Sequence, residues 1–250
     1  MLRVDKLRKS FGGVVATSDV SIDFPAGSLS AVIGPNGAGK TTFFNLISGG
    51  LQPDSGRILL DGEDIVGLPS SEIVRKGIGR AFQVAKLFKS LTVEESLRGA
   101  LQSPLGQSLQ MRGRFPTTDT RDRAQAVMEQ LGLHDKATII SGNLSHGDQK
   151  LLDIALALVL EPKVLLLDEP VAGMGPEERW QMIDTVYALW KKGGLTVVLI
   201  EHDMDIVFKV SQHIHVLSYG KLLAHGTPQE IRNNPAVIEA YLGTPKEARE

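Results

Sequence analysis

The clearest chemistry in the chain lies in one continuous loop: Gly34, Pro35, Asn36, Gly37, Ala38, Gly39, Lys40, Thr41 and Thr42. It follows the apolar run Leu29–Ile33 and precedes Phe43-Phe-Asn-Leu-Ile47. Strand, glycine loop and helix in succession are the context that a phosphate-binding loop requires. Three glycines let successive backbone N–H groups turn inward on one anion. Lys40 can then reach the terminal phosphates as a point charge. The Thr41 hydroxyl can ligate Mg²⁺, and Thr42 sits in the first helical turn, where the helix dipole favours negative charge. The loop predicts binding of a nucleoside triphosphate together with Mg²⁺.

A second constellation is Val164-Leu-Leu-Leu167 followed by Asp168 and Glu169. A continuous apolar run reads as a buried parallel strand, and ligand chemistry sits at the carboxyl end of such strands. Asp168 is placed to hold Mg²⁺ through water. Glu169, pointing elsewhere, can face the γ-phosphate and polarise the attacking water. His202 follows another apolar strand, Leu195–Ile200, and can donate to the γ-phosphate and orient the base. Gln83 ends the short run Ile78–Gln83 with an amide at the mouth of the sheet.

Other positions admit two readings each. Asn143–Lys150 opens a helix with Ser145 as N-cap and Asp148 three residues on. That start can bind an anion or be only a well-capped helix. Phe11, just before Gly12-Gly13, can stack on a base or be a half-buried strand aromatic. His213 and His215 share a strand face, but no third metal ligand accompanies them.

The surrounding elements follow from apolar periodicity and turn signals. Residues 1–33 read as two or three antiparallel strands, with turns at Gly12-Gly13 and Pro25-Ala-Gly27. A helix covers Lys40–Ser48, and Arg57–Leu60 is a strand followed by a hairpin turn at Asp61-Gly62. From Val84 to Glu161 strand signals vanish. Thr92 caps a helix there, Pro104–Thr120 reads as a loop, and Arg121–Leu131 is an amphipathic helix stopped at Gly132. The α/β pattern then resumes, with a helix over Pro176–Lys192, a hairpin over residues 213–224 and two short closing helices. The expected architecture is a mostly parallel sheet with an antiparallel β layer and an inserted α-helical lobe. Residues 1–83 and 162–243 form the core, 84–161 the lobe, and 244–250 a polar tail.

Composition narrows the function classes. With 250 residues and a net charge of −2, the chain has no global basic field for nucleic acid. It has no cysteine, which excludes a disulfide framework and cysteine metal sites. Met1-Leu-Arg-Val-Asp-Lys shows no apolar signal core, and the longest apolar runs are too short to span a bilayer. Any membrane connection is expected through a partner.

Taken together, the phosphate loop, Gln83, Leu144-Ser145-x-Gly147, Asp168-Glu169 and His202 make the chain resemble the ATPase subunit of ABC transporters over nearly its whole length. The resemblance implies an α/β P-loop NTPase fold of RecA type, with ATP and Mg²⁺ as the bound species. It implies a head-to-tail pair of ATPase subunits, identical or unlike, with each ATP between one subunit's phosphate loop and the other's signature. On that reading Ser145 and Gly147 contact the γ-phosphate across the interface, Phe11 stacks on adenine, and Gln83 senses Mg²⁺ and the attacking water. The implied partners are integral membrane permease subunits and, indirectly, a solute-binding protein. The implied location is cytoplasmic, peripheral on the inner face of the cell membrane.

Arg80-Ala-Phe-Gln83, Pro170-Val-Ala-Gly-Met174 and the ending Gly226–Gly243 look most like the branched-chain amino acid and amide uptake subfamily, with a urea-type flavour in Ser145-His146-Gly147. A lipopolysaccharide-extraction ATPase shares the general architecture. A non-transport ABC ATPase is disfavoured by the absence of a coiled coil, a tandem domain or a basic stripe. Three residues depart from the family pattern: His146 and Asp148 in the signature, and Gly175 where an aspartate is usual. A carboxylate near a γ-phosphate is repulsive unless Asp148 turns back onto its own helix start.

Overall fold

The computed structural model describes residues 1–102 and 118–242. Most of the expected Pro104–Thr120 loop, and the tail 244–250, lie outside the described residues. At the centre is a six-stranded sheet. Its order is β10 (Lys221–Gly226), β9 (His213–Ser218), β3 (Leu29–Ile33), β8 (Thr196–Ile200), β7 (Val164–Asp168) and β6 (Ile78–Ala81). All its pairings are parallel except β9 with β10. Beside it lies an antiparallel sheet in the order β2 (Val14–Phe24), β1 (Leu2–Phe11), β4 (Ser55–Leu60) and β5 (Glu63–Asp64).

One expectation is corrected here. The N-terminal strands are not one antiparallel set: β3 pairs in parallel with β8 and β9 inside the central sheet. Every residue of β3, β7 and β8 is buried, because layers cover both faces. β1 and β2 instead alternate buried and exposed positions over much of their length.

The period of two sends neighbouring side chains of β7 into different cores. Leu165 and Leu167 pack into a cluster with Val93, Leu97, Leu152 and Ile183. Those residues come from α3 (Val93–Gln102), α5 (His146–Leu158) and α6 (Pro176–Lys191). Val164 and Leu166 pack with Phe43 and Phe44 of α1 (Lys40–Ile47), and with Leu2, Phe24 and Ile58 of the antiparallel sheet. Likewise Leu29, Ala31 and Ile33 of β3 fall in the first cluster and Val32 in the second, so the phosphate loop also leaves a strand that is held from both sides.

Residues 84–161, the expected lobe, include α3, α4 (Thr118–Leu131) and α5. Thr92 caps α3 reciprocally: its Oγ1 accepts from Glu95 N at 3.2 Å, and its N–H donates to the Glu95 carboxylate at 2.9 Å. α4 starts at Thr118 rather than Arg121, so the expected loop is shorter at its end. This stretch is also not free of β pairing, since Thr92 and Ile140 form an isolated antiparallel bridge. Two short helices, α2 (Ser70–Lys76) and α7 (Met204–Val210), were not expected. Seven residues carry too little periodicity to announce a helix. α7 is fixed by its cap, with Asp203 Oδ1 accepting from Asp205 N and Ile206 N.

His215 of β9 is 6 % exposed, packs edge-on to Phe24 at 5.1 Å, and has no hydrogen-bond partner on either ring nitrogen among the described residues. Arg3, Asp5, Asp23 and His225 line the small cavity beside it. Burial, with a smaller contribution from the charges of His225 and His213, pushes its pKa down from 6.5 to about 4. The folded state thus holds a neutral imidazole that the unfolded chain protonates more readily. Its contribution to stability is complete above pH 6.5 and is lost as pH falls towards 4, by up to about 3 kcal/mol. Urea unfolding of His215→Leu across this window should show that much less acid sensitivity than wild type.

Candidate active site

β3 delivers the chain into the phosphate loop at Gly34, whose φ is +153°. A Cβ there would sit 2.1 Å from Leu217 O, and one at Gly39 (φ +100°) would sit 2.1 Å from Ala16 O. Only glycine fits either position. Lys40 begins α1 with 7 % exposure and folds over the loop, donating to Gly34 O at 2.7 Å and Pro35 O at 3.0 Å. Burial pushes its pKa below the usual lysine value, opposed by the negative charges of Glu169 and Asp168. A cleft of about 270 Å³ is walled by residues 36–42 of the loop, Val14–Ala16 of β2, Glu169 and His202. It is large enough for a phosphate chain and carries the ammonium that would bind one.

The strand ends supply the rest. Asp168 closes β7 at 4 % exposure, and its Oδ2 accepts from Arg80 at 2.9 Å. Arg80, projecting from β6, also donates to Asn45 Oδ1 at 2.7 Å and Ser48 Oγ at 2.9 Å, and its guanidinium lies over Phe82. The pair therefore ties β6, β7 and the end of α1 together.

Glu169 follows with φ +48°, a left-handed conformation held by its N–H to Ile200 O at 3.0 Å. His202 Nε2 meets Glu169 Oε1 at 2.7 Å, and Gln83 Nε2 donates to Oε2 at 2.5 Å. Three chain segments, at the ends of β6, β7 and β8, thus converge on one carboxylate. Glu201 is buried and accepts from Val171 N at 3.2 Å and His202 N at 3.1 Å. These bonds brace the turn after Glu169, while burial raises the Glu201 pKa.

Gln83 is not itself in a strand, contrary to the expected Ile78–Gln83 run. β6 stops at Ala81 because Phe82 N–H leaves the ladder to donate to Asp153 Oδ2 at 2.6 Å. Phe11 stands at the tip of the β1–β2 hairpin, paired with Val14 and 45 % exposed, beside the cleft rather than in its wall. Lys9 Nζ lies 5.6 Å from its ring centroid.

Ser145 and Gly147 are not brought to Lys40. They open α5 and line a separate cleft of about 230 Å³ with Asp148, Met174 and Glu178. Ser145 Oγ accepts from Asp148 N at 3.2 Å and donates to Asp148 Oδ2 at 2.7 Å, while Oδ1 takes the Lys136 ammonium. The unusual carboxylate is therefore folded back onto its own helix start and neutralised. His146 Nε2 meets Ala172 O at 3.1 Å, linking the signature to the loop after Glu169. Gly175 is the N-cap of α6, and its N–H donates to Glu178 at 3.3 Å.

Residues 17–172 match the family model described as ABC transporter. The chain belongs to this family. A second model, the branched-chain amino acid ATP-binding cassette transporter, matches residues 221–247 of this ABC ATPase. The high-affinity branched-chain amino acid transport ATP-binding protein LivG of Escherichia coli K12 is 41% identical over 97% of this chain and 98% of its own. BraF of Pseudomonas aeruginosa, of the same description, is 41% identical over the same shares. An ATP-binding cassette of an ABC transporter, solved in its ADP conformation, superposes with a TM-score of 0.85 at 33% identity, covering 98% of this chain and 99% of that one.

The ABC ATPase binds nucleotide and hydrolyses ATP to ADP and phosphate. Among the described residues no helix is long and apolar enough to cross a membrane. Sequence reasoning assigned no role to Arg80, Lys150, Asp153 or Glu201. For Arg80 there was a signal: a lone cation in the otherwise apolar and small run Ile78–Ala81.

Proposed function

We propose that this ABC ATPase works on the inner face of the cell membrane and drives import of branched-chain amino acids. It would pair with a second ATPase subunit and dock on integral membrane permease subunits fed by an external solute-binding protein. The substrate class rests on the names of LivG and BraF and on the C-terminal match. The pairing rests on one observation: residues 36–42 of the loop, Glu169 and His202 share one cleft while Ser145 and Gly147 line another. An ATP held by the first set would meet a signature only from a second subunit.

In this reading the loop from Gly34 to Thr42 wraps the phosphates and Lys40 exchanges its carbonyl partners for phosphate oxygens. Phe11 covers the adenine. The hydroxyl of Thr41, Asp168 and the amide oxygen of Gln83 are hard oxygen donors of the kind Mg²⁺ takes, and would hold it. When bound, the ion neutralises charge on the phosphate chain. Glu169 accepts a proton from the water whose oxygen attacks the γ-phosphorus, and ADP leaves. His202 and Gln83, both already bonded to that carboxylate, keep it aimed and add donors for the transferring group. Residues 1–83 and 162–243 act as the catalytic core, and 84–161 as the lobe that carries the signature.

The test is transport itself. Cells lacking this chain but keeping the permease should recover uptake of labelled leucine when given the wild-type chain and not when given Glu169→Gln. Full uptake without the chain would overturn the assignment.

A further inference from the structure

We propose that Lys150 is a positioning residue that locks the Gln83 segment and the main chain of Glu169 to the signature helix. It thereby couples the signature, which serves one nucleotide, to the reacting centre that serves the other. The inference rests on the roles proposed above for Glu169, Gln83 and Ser145.

Lys150 lies in the second turn of α5 with 3 % exposure. Its ammonium donates to Phe82 O at 3.3 Å, to Gln83 O, and to Glu169 O at 3.4 Å. An ammonium has three protons, and three carbonyls take them. Among the described residues no carboxylate forms an ion pair with it; Asp153, Asp168, Glu169 and Glu201 act on it only through space. A buried cation matched only to neutral carbonyls is an expensive way to fill a core. Methionine or leucine would pack there more cheaply. What the cation supplies is direction: three backbone oxygens from two separate segments are drawn to one point.

Asp153, on the same helix, completes the grip. Its Oδ2 accepts from Phe82 N at 2.6 Å and its Oδ1 from Lys86 N at 3.4 Å. α5 therefore holds both the donors and the acceptors of residues 82–86, the segment that aims Gln83 at Glu169. Glu169 needs such support because its backbone is left-handed, a conformation that persists only where the surroundings enforce it. Its carbonyl accepts from Ala172 N at 3.1 Å as well as from Lys150. Ser145 and Gly147 begin the same helix, so a tilt of α5 when the signature engages a nucleotide moves Lys150 and, with it, Gln83 and Glu169. The helix interior is close-packed and transmits such a shift rather than absorbing it.

The test uses the purified full chain as wild type, Lys150→Met and Lys150→Arg. Four quantities are read: amide exchange of residues 82–86, the Kd for Mg-ATP, and kcat and KM for ATP hydrolysis. In Lys150→Met, exchange of residues 82–86 should rise about tenfold or more while β7 keeps its protection. Its kcat should fall about tenfold or more, with Kd and KM within about twofold of wild type. Lys150→Arg, which keeps charge and donors, should restore both exchange and kcat to within about threefold.

Wild-type exchange and turnover in Lys150→Met would overturn the proposal. So would a loss of ATP affinity in step with kcat, which marks a general structural role. If Lys150→Met does not fold, Lys150→Gln takes its place, and unchanged exchange and turnover in that variant overturn the proposal equally. Failure of the underlying reading looks different: Glu169→Gln would then hydrolyse normally, whatever the exchange of residues 82–86 shows.

Discussion

Replacing Glu169 with glutamine should slow phosphate release by about 10²–10⁴-fold while leaving the affinity for ATP within a few-fold of wild type. The substitution keeps the shape of the side chain and a carbonyl oxygen able to accept from Gln83 or His202, which now hold the two carboxylate oxygens at 2.5 and 2.7 Å. It removes the one property that hydrolysis requires, the capacity to take a proton from the attacking water. In the proposed reading binding rests on other groups, chiefly the loop amides and Lys40, so affinity and turnover should separate. Phosphate release and equilibrium nucleotide binding measured on the same preparation check this. Turnover within threefold of wild type would remove Glu169 as the base.

Arg80→Met should destabilise the fold by about 3–5 kcal/mol. The residue is buried with Asp168, their side chains only 6 % and 4 % exposed, and it also satisfies Asn45 and Ser48. Removing the cation leaves Asp168 buried beside the negative charge of Glu169 without its counter-ion. Urea unfolding should show the loss, and adding Asp168→Asn should recover part of it, because the orphaned charge is then gone. Additive effects of the two substitutions would mean that the pair contributes nothing as a pair.

What could be read in the sequence was chemistry confined to contiguous residues. The candidate phosphate loop is legible because such binding falls to the backbone, and backbone shape is written in local glycines. Asp168, Glu169 and His202 are legible because apolar runs end just before them, and a buried parallel strand puts its ligands at that end. β3 was grouped with its sequence neighbours because the Pro25-Ala-Gly27 turn resembles a hairpin, yet its partners β8 and β9 lie more than a hundred and fifty residues away. The bonds from Arg80 to Asp168 and from Asp153 to Phe82 close loops of 88 and 71 residues. No local pattern announces such pairs, because the sheet alone brings them together. Asp148 was legible as a departure and as a possible return to its own helix start. Lys136, which completes its neutralisation, was not.

The central claim is that one chain holds only half of each working ATP site. The measurement that tests it most directly is the ATPase rate across a dilution series over which light scattering shows the nucleotide-free chain to be monomeric. If the cleft of Lys40, Glu169 and His202 must be completed by Ser145 and Gly147 of a second copy, the rate should rise with the square of chain concentration before it becomes linear. A specific activity that is substantial and constant throughout the monomeric range would contradict it, and would mean that a single chain carries a complete site.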